Sequence, residues 1–256
     1  MSPTPRALEA FSDNYVWLLA GPAGGCVLVD PGDAAPVLRE VEAGLRIDGI
    51  LLTHHHADHV GGVDAVQARC GCPAWGPDDP RMPAGMRRVA DGEAVEVAGL
   101  RFRALAVPGH TRSHLAWHGA GVLFCGDTLF SLGCGRLFEG TPAQMLASLD
   151  AIAALPADTL ACPAHEYTAA NARFARTVDP GNPALRARAE AVEALRAAGR
   201  PTLPVRLGDE RAANPFLRVD DAAVAARVRA HAGLPADADR VAVFAALRAW
   251  KDGFTA

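Results

Sequence analysis

Four of the chain's nine histidines fall within six residues, in Thr53-His54-His55-His56-Ala57-Asp58-His59, directly after the apolar run Ile50-Leu51-Leu52. Imidazole and carboxylate are the ligand types that bind zinc, iron and manganese. A strand turns alternate side chains to opposite faces, so His54 and His56 are expected to point the same way at a strand's carboxyl end. Asp58 and His59 would follow from the next turn, before Gly61 and Gly62 open a helix. Three more stretches share the texture of an apolar strand ending in a ligand type: Val107-Pro108-Gly109-His110, Phe124-Cys125-Gly126-Asp127 and Leu160-Ala161-Cys162-Pro163-Ala164-His165. Groups at strand carboxyl ends of an α/β sheet converge on one edge. The expected ligand sets are His54, His56, His110 and Asp127 for one cation, and Asp58, His59, His165 and Asp127 for a second. Asp127, with two oxygens, would serve both, and both sets leave room for a shared water.

The remaining candidates are read more plainly. By alternation His55 faces away from the metals and packs behind them. His114 and His118 are read as hydrogen-bonded structural histidines, with His114 able to support the site from behind. Asp30, ending the Val27-Leu28-Val29 run, is expected to support a ligand histidine, and His231 is read as surface. Cys125 and Cys162 neighbour ligands but are read as packing residues. Cys70-Gly71-Cys72 has no matching pair elsewhere and makes a poor metal site.

These ligands need a frame. The first two-thirds of the chain alternates short apolar runs with Gly, Pro and Asp, giving expected strands at 15–19, 26–30, 47–53, 94–97, 100–107, 116–118, 122–125 and 159–161. Helical patterns lie at 37–43, 62–69 and 142–155, the last with Thr141 as N-cap and Pro142 in the first turn. Helices alternating with strands predict a layered α/β domain. After about residue 166 strand-like runs vanish, and alanine-rich, arginine-studded helices are expected at 184–198, 220–232 and 238–250. The predicted division is therefore residues 1–165 as the catalytic domain and 166–256 as a smaller helical domain.

Composition excludes several partners. The 256 residues are 50% hydrophobic and 21% charged, an ordinary globular balance with ample length for a core. With 25 basic and 29 acidic side chains the net charge is −4, opposite to the basic surplus that nucleic-acid binding needs. The longest uncharged stretch, 14–29, is broken by Gly21, Pro22, Gly24 and Gly25, too soon for a membrane span. Residues 1–10 carry Pro3 and Pro5 where a signal peptide needs an apolar core. Six sparse cysteines suit reduced thiols. The expectation is a cytoplasmic monomer without nucleic-acid or membrane partners.

His54-His55-His56-Ala57-Asp58-His59 fits an H-x-H-x-D-H signature. With Pro-Gly-His at 108–110, Cys-Gly-Asp at 125–127 and Ala-His-Glu at 164–166, the chain resembles the metallo-β-lactamase superfamily, and within it glyoxalase II, the hydroxyacylglutathione hydrolases. Asp13-Asn14-Tyr15, Gly126-Asp127-Thr128-Leu129-Phe130, Gly133-Cys134-Gly135-Arg136-Leu137-Phe138-Glu139-Gly140-Thr141, His165-Glu166-Tyr167-Thr168, Asn214-Pro215-Phe216 and 248–252 carry the resemblance across essentially the whole chain. It implies an αββα sandwich with a dinuclear site at its edge, followed by a helical domain that covers glutathione. The implied activity is hydrolysis of S-D-lactoylglutathione and related 2-hydroxyacylglutathiones to D-lactate and glutathione, a step of methylglyoxal detoxification. Two divalent cations are implied, zinc first, with iron and manganese also suited to these ligands. For substrate binding the resemblance points to Arg136, Phe138, Tyr167, Arg248 and Lys251. Two positions depart from the pattern: Phe138 stands where some members have Tyr, and Ser113 where Gly is expected.

A thioester resists neutral water at pH 7, whereas a metal lowers the pKa of bound water to about 7 and can hold the developing oxyanion. In this reading the attacking hydroxide bridges the metals, His54, Asp58 and Asp127 carry the chemistry, and Asp58 orients the water. Two other functions compete. A single-iron glutathione-persulfide dioxygenase is disfavoured by the helical segment with Arg248 and Lys251. A metal-binding or redox module without hydrolase activity is disfavoured by an open coordination position, since structural zinc sites are closed and cysteine-rich.

Overall fold

A computed structural model describes residues 3–255. Two six-stranded sheets lie face to face with helices on both outer sides. The first sheet runs in chain order through β1 (Arg6–Ala10), β2 (Asn14–Ala20), β3 (Cys26–Val29), β4 (Ile47–Leu51), β5 (Ala74–Pro77) and β6 (Arg87–Val89). Its first three strands are antiparallel and the rest parallel. Helix α1 (Ala34–Glu42) connects β3 to β4, and α2 (Ala57–Val60) with α3 (Val63–Cys70) connects β4 to β5.

The apolar runs read as strands because this sheet is buried on both faces. In β2, Tyr15, Trp17 and Leu19 enter the core between the sheets, while Val16 and Leu18 pack with Val37, Val63 and Val66 of the helices outside. The same alternation divides Val27 and Val29 from Cys26 and Leu28.

The second sheet contains β7 (Ala94–Val97), β8 (Leu100–Ala106), β9 (Leu115–Gly119), β10 (Val122–Gly126), β13 (Leu160–Pro163) and β14 (Val205–Arg206), in the order β14-β13-β10-β9-β8-β7. Between β10 and β13 stand a short hairpin, β11 (Leu129–Phe130) with β12 (Gly133–Cys134), and helix α4 (Pro142–Ala153). Thr141 caps α4, as the sequence predicts, and Gln144 caps back onto the Thr141 backbone. Met145, Leu146, Leu149 and Ile152 of α4 join the sandwich core. The layers are thus αββα, followed by α5 (Thr168–Val178), α6 (Pro183–Ala197), α7 (Leu207–Ala213), α8 (Ala222–Ala232) and α9 (Arg240–Asp252).

Strand-like structure does not vanish after residue 166. Val205 pairs with Ala161 and Arg206 with Leu160, a two-residue strand too short for periodicity to reveal. Phe174, Phe216, Phe244 and Leu247 belong to the same buried cluster as Trp117 and Phe124. One core therefore runs from the sandwich into the C-terminal helices. Among the described residues no helix is long and apolar enough to cross a membrane.

Candidate metal centre and substrate cavity

The candidate ligands gather where strands of both sheets end. Pairing of β4 stops at Leu51, and Thr53 turns its backbone N–H to Asp30 Oδ1 at 2.8 Å. His54 and His56 therefore lie in the irregular segment between β4 and α2, not on a strand, and their convergence comes from the Asp30 turn rather than from strand alternation. Asp30 holds a positive φ of 50°, a region Asp enters more readily than most residues. Gly32 allows this turn to press against α2, since a Cβ there would fall 1.7 Å from the Asp58 carbonyl oxygen.

Three groups of ligand atoms form, each within 4.8 Å of one another: His54, His56 and His110; His54, His59 and Asp127; Asp58, His59 and His165. His110 Nε2 lies 3.0 Å from His56 Nδ1 and 3.4 Å from Asp127 Oδ2. The other carboxylate oxygen, Asp127 Oδ1, lies 3.5 Å from His59 Nε2 and 3.4 Å from His165 Nε2. Asp58 Oδ2 is 3.5 Å from His59 Nε2 and 3.4 Å from His165 Nε2. All seven predicted metal residues thus meet at one place.

The donor set fits metal ions. Ligands about 2.0–2.1 Å from a tetrahedral cation lie about 3.3–3.4 Å apart, close to the separations here. His54 Nε2, His59 Nε2 and Asp127 Oδ1 are buried without a hydrogen-bond partner, an arrangement that otherwise costs about 1–3 kcal/mol per group. The outward nitrogens are occupied: His54 Nδ1 by Thr53 Oγ1 at 3.0 Å, His59 Nδ1 by Asp30 Oδ2 at 3.1 Å, His110 Nδ1 by the Arg136 carbonyl at 2.9 Å, and His165 Nδ1 by Asp13 Oδ1 at 2.7 Å. Partners of this kind orient metal-bound imidazoles.

Electrostatics agree with the donor set. Burial and the surrounding histidines push His54 well down and His56 to about 4, so both offer neutral lone pairs. Burial opposes charge on His59 and His165 as well, yet the carboxylates, Asp127 foremost, outweigh it and raise both. Burial likewise works against ionised Asp58 and Asp127, but the neighbouring histidines hold both carboxyls below their usual range. This end of the site demands positive charge.

The supporting residues fall into place around it. His114 is buried, stacks on His54 at 4.7 Å, and accepts the Asp127 backbone N–H through Nε2 at 3.2 Å. Asp30 supports His59. His55 turns away, toward Asp79 and Glu139. Burial drives the Cys125 and Cys162 thiols up, as suits packing residues. His118 is on β9, and His231 is exposed but stacks on Trp250 at 3.7 Å. Among the described residues Cys70 and Cys72 join no candidate metal group.

Beside the ligands lies a cavity of about 510 Å³ lined by His110, Asp127, Phe130, Arg136, Phe138, Tyr167, Arg248 and Lys251 among others. Tyr167 stacks on His165 at 4.7 Å with planes 6° apart. Phe138 is exposed, its ring centre 5.2 and 5.8 Å from those of His110 and His56 in edge-to-face arrangements. The Lys251 amine stands over Phe174 and Phe254. Arg248, expected to hold glutathione, lines the cavity, but its guanidinium is engaged within the protein. It is buried, donating Nη1 to the Cys134 carbonyl at 2.7 Å and Nη2 to Asp252 at 3.1 Å.

Sequence reasoning assigned no role to Asn14, whose amide donates to Asp58 Oδ2 at 2.9 Å, or to Asp13 on His165. Both belong to the Asp13-Asn14-Tyr15 stretch, and the signal available was a pair of polar residues at the entry to an otherwise apolar strand. Asp79, Arg81 and Glu139 were also without a role, lying in loops with no periodicity.

Residues 11–165 match the family model for the metallo-beta-lactamase superfamily, and residues 166–254 that for the hydroxyacylglutathione hydrolase C-terminus. Proteins named hydroxyacylglutathione hydrolase are similar over nearly their whole length: 57% identity for that of Stenotrophomonas maltophilia and 54% for that of Xanthomonas campestris pv. campestris, each covering 98% of both chains. Among solved structures, ETHE1 from Myxococcus xanthus is similar at 25% identity with a TM-score of 0.65, covering 97% of this chain and 98% of that one. TTHA1623, solved in a di-iron-bound form, is 29% identical with a TM-score of 0.54, covering 63% of this chain and 91% of that one.

Proposed function

This chain belongs to the hydroxyacylglutathione hydrolase family of the metallo-β-lactamase superfamily, and from that premise we propose that it hydrolyses S-D-lactoylglutathione and related 2-hydroxyacylglutathiones to the 2-hydroxy acid and glutathione. The observation that carries the reading is the position of Asp127, with one carboxylate oxygen toward His110 and the other toward His59 and His165, beside a cavity lined by cations. His54, His56, His110 and Asp127 would hold one cation, and Asp58, His59, His165 and Asp127 a second. Zinc is the first choice, and iron or manganese suits the same donors. When bound, such cations lower the pKa of a water toward about 7 and polarise a carbonyl.

The chain's own residues supply the rest. Asn14 holds Asp58 through Oδ2, keeping this ionised carboxylate oriented to accept a hydrogen bond from the attacking water. Arg136 and Lys251 supply positive charge for the glutathione carboxylates, while Tyr167 and Phe138 form walls against which the thioester packs. Water loses a proton as it adds to the thioester carbonyl, the C–S bond breaks, and the sulfur leaves as thiolate, a good leaving group since thiols have pKa values near 8.5. The thiolate is then protonated to glutathione while the acid is released as its carboxylate, one net proton passing to solvent. In this reading residues 1–165 carry the chemistry and 166–256 most of the glutathione contacts.

Hydrolysis of S-D-lactoylglutathione, followed with metal analysis of the same preparation, tests the proposal. Turnover with about two metals per chain, lost on chelation and restored by added divalent metal, is the expected result. Full turnover by metal-free protein would overturn it.

A further inference from the structure

Behind the loop that carries His54 and His56, four side chains close a ring. Asp79, buried, accepts Arg81 N and Nε through Oδ1 at 2.9 and 2.8 Å, and Arg81 Nη2 and Ser113 Oγ through Oδ2 at 2.7 and 2.8 Å. Arg81 then donates Nη1 to Glu139 Oε1 at 2.5 Å. Glu139 accepts the Arg112 backbone N–H through Oε2 at 2.9 Å, and its carbonyl accepts Arg112 Nε at 3.1 Å. Arg112 and Ser113 are chain neighbours, so the ring closes through them, and the His55 ring packs against it without a hydrogen bond, Nε2 3.6 Å from Glu139 Oε1 and Nδ1 3.8 Å from Asp79 Oδ2.

The ring joins the segments on either side of one candidate metal position. His55 is the chain neighbour of His54 and His56, Arg112 lies two residues beyond His110, and Glu139 follows Phe138, whose ring lies against His110 and His56. The support of the ligands is unequal. His54, His59, His110 and His165 each have an outward nitrogen on a hydroxyl, carboxylate or carbonyl. His56 meets only His110 among the described hydrogen bonds, so its ring is placed by whatever fixes its loop.

We propose that Glu139 and Arg81 are positioning residues for His56, fixing its loop through His55 so that its Nδ1 faces His110 Nε2. One metal position then depends on the ring, while that formed by Asp58, His59 and His165 rests on Asn14, Asp30 and Asp13. Ser113, the departure from the expected glycine, adds a hydrogen bond to the same ring. The inference rests on the two-cation reading of the site.

The test is competitive zinc titration of metal-free protein against a chromophoric chelator, with thermal unfolding of each variant alongside. Glu139→Ala is expected to weaken one of two zinc affinities about tenfold, the lower end for loss of an outer partner, and to leave the other unchanged. Glu139→Gln, which keeps an acceptor for Arg112 N, should recover part of the loss. Arg81→Met, at a half-exposed side chain, should reproduce the effect and carries the test if Glu139→Ala does not fold. Two unchanged affinities, or two weakened equally, would overturn the proposal. A wild-type chain that takes up a single zinc would count against the two-cation reading, and the ring would still be judged by whether that one affinity falls in the variants.

Discussion

The Arg248 guanidinium donates to the Cys134 carbonyl across 2.7 Å, tying the last helix to the β11–β12 hairpin that borders the cavity. It also lies over the Phe216 ring at 5.2 Å. A charge-assisted hydrogen bond in such a place contributes about 1.5–3 kcal/mol, and near 2 kcal/mol corresponds to roughly 4–8 °C in a chain of this size. Arg248→Met should therefore lower the Tm by about that amount, read by calorimetry. An unchanged Tm would show that the buried bond contributes nothing.

Lys251, three residues on, is expected to behave differently. Its amine faces aromatic rings and the cavity, with Arg248, Arg173 and Arg136 nearby. Burial first, and those arginines next, lower its pKa. Lys251→Ala should leave the Tm nearly unchanged and raise KM for the glutathione thioester roughly tenfold at constant kcat, the mark of lost uniform binding. The sign with pH follows: KM should rise as pH climbs through the lowered lysine pKa, and Lys251→Arg should flatten that rise. A KM indifferent to Lys251→Ala would remove this residue from the glutathione site.

Asp127 turns its two oxygens to opposite sets of histidines. Asp127→Ala should cost both metals, and activity by more than the about 10–100-fold that an outer partner costs. Metal analysis and turnover of the purified variant check this. Retention of two metals with normal turnover would rule out the shared ligand.

The ligand types and the alternation of strands with helices were legible because they rest on local patterns, whereas the αββα arrangement followed from the family resemblance. Apolar strands ending in His or Asp announce themselves at 50–59, 107–110, 124–127 and 160–165. Of what positions those ligands, the support of a histidine by Asp30 was legible and is met at His59, but its positive φ and its hold on the Thr53 N–H, which no periodicity encodes, were not. Asp79 and Glu139 approach His55 from loops 24 and 84 residues further along the chain. Strand β14 has two residues and forms only because β13 offers an edge, and the burial of Arg248 depends on a carbonyl 114 residues away.

Glu210 offers a test independent of the metals. It is fully buried, with Oε1 accepting from Ser131 Oγ at 2.6 Å and Oε2 from Leu132 N at 2.8 Å and Asn214 Nδ2 at 3.0 Å. Burial raises its pKa despite these donors. A carboxyl raised in the folded state is protonated in both states below its unfolded value near 4.5, where no penalty arises. As pH climbs, the unfolded chain ionises first, so stability is lost until the folded-state pKa is passed and the penalty is then constant. Glutamine cannot ionise, and its amide fits the same partners: Oε1 toward Leu132 N and Asn214 Nδ2, and Nε2 donating to Ser131 Oγ. Glu210→Gln should therefore match or exceed the wild-type Tm at pH 7, with its advantage shrinking toward pH 4.5. A clear loss of Tm at pH 7 would mean that the charge-assisted hydrogen bonds outweigh the burial of the carboxylate.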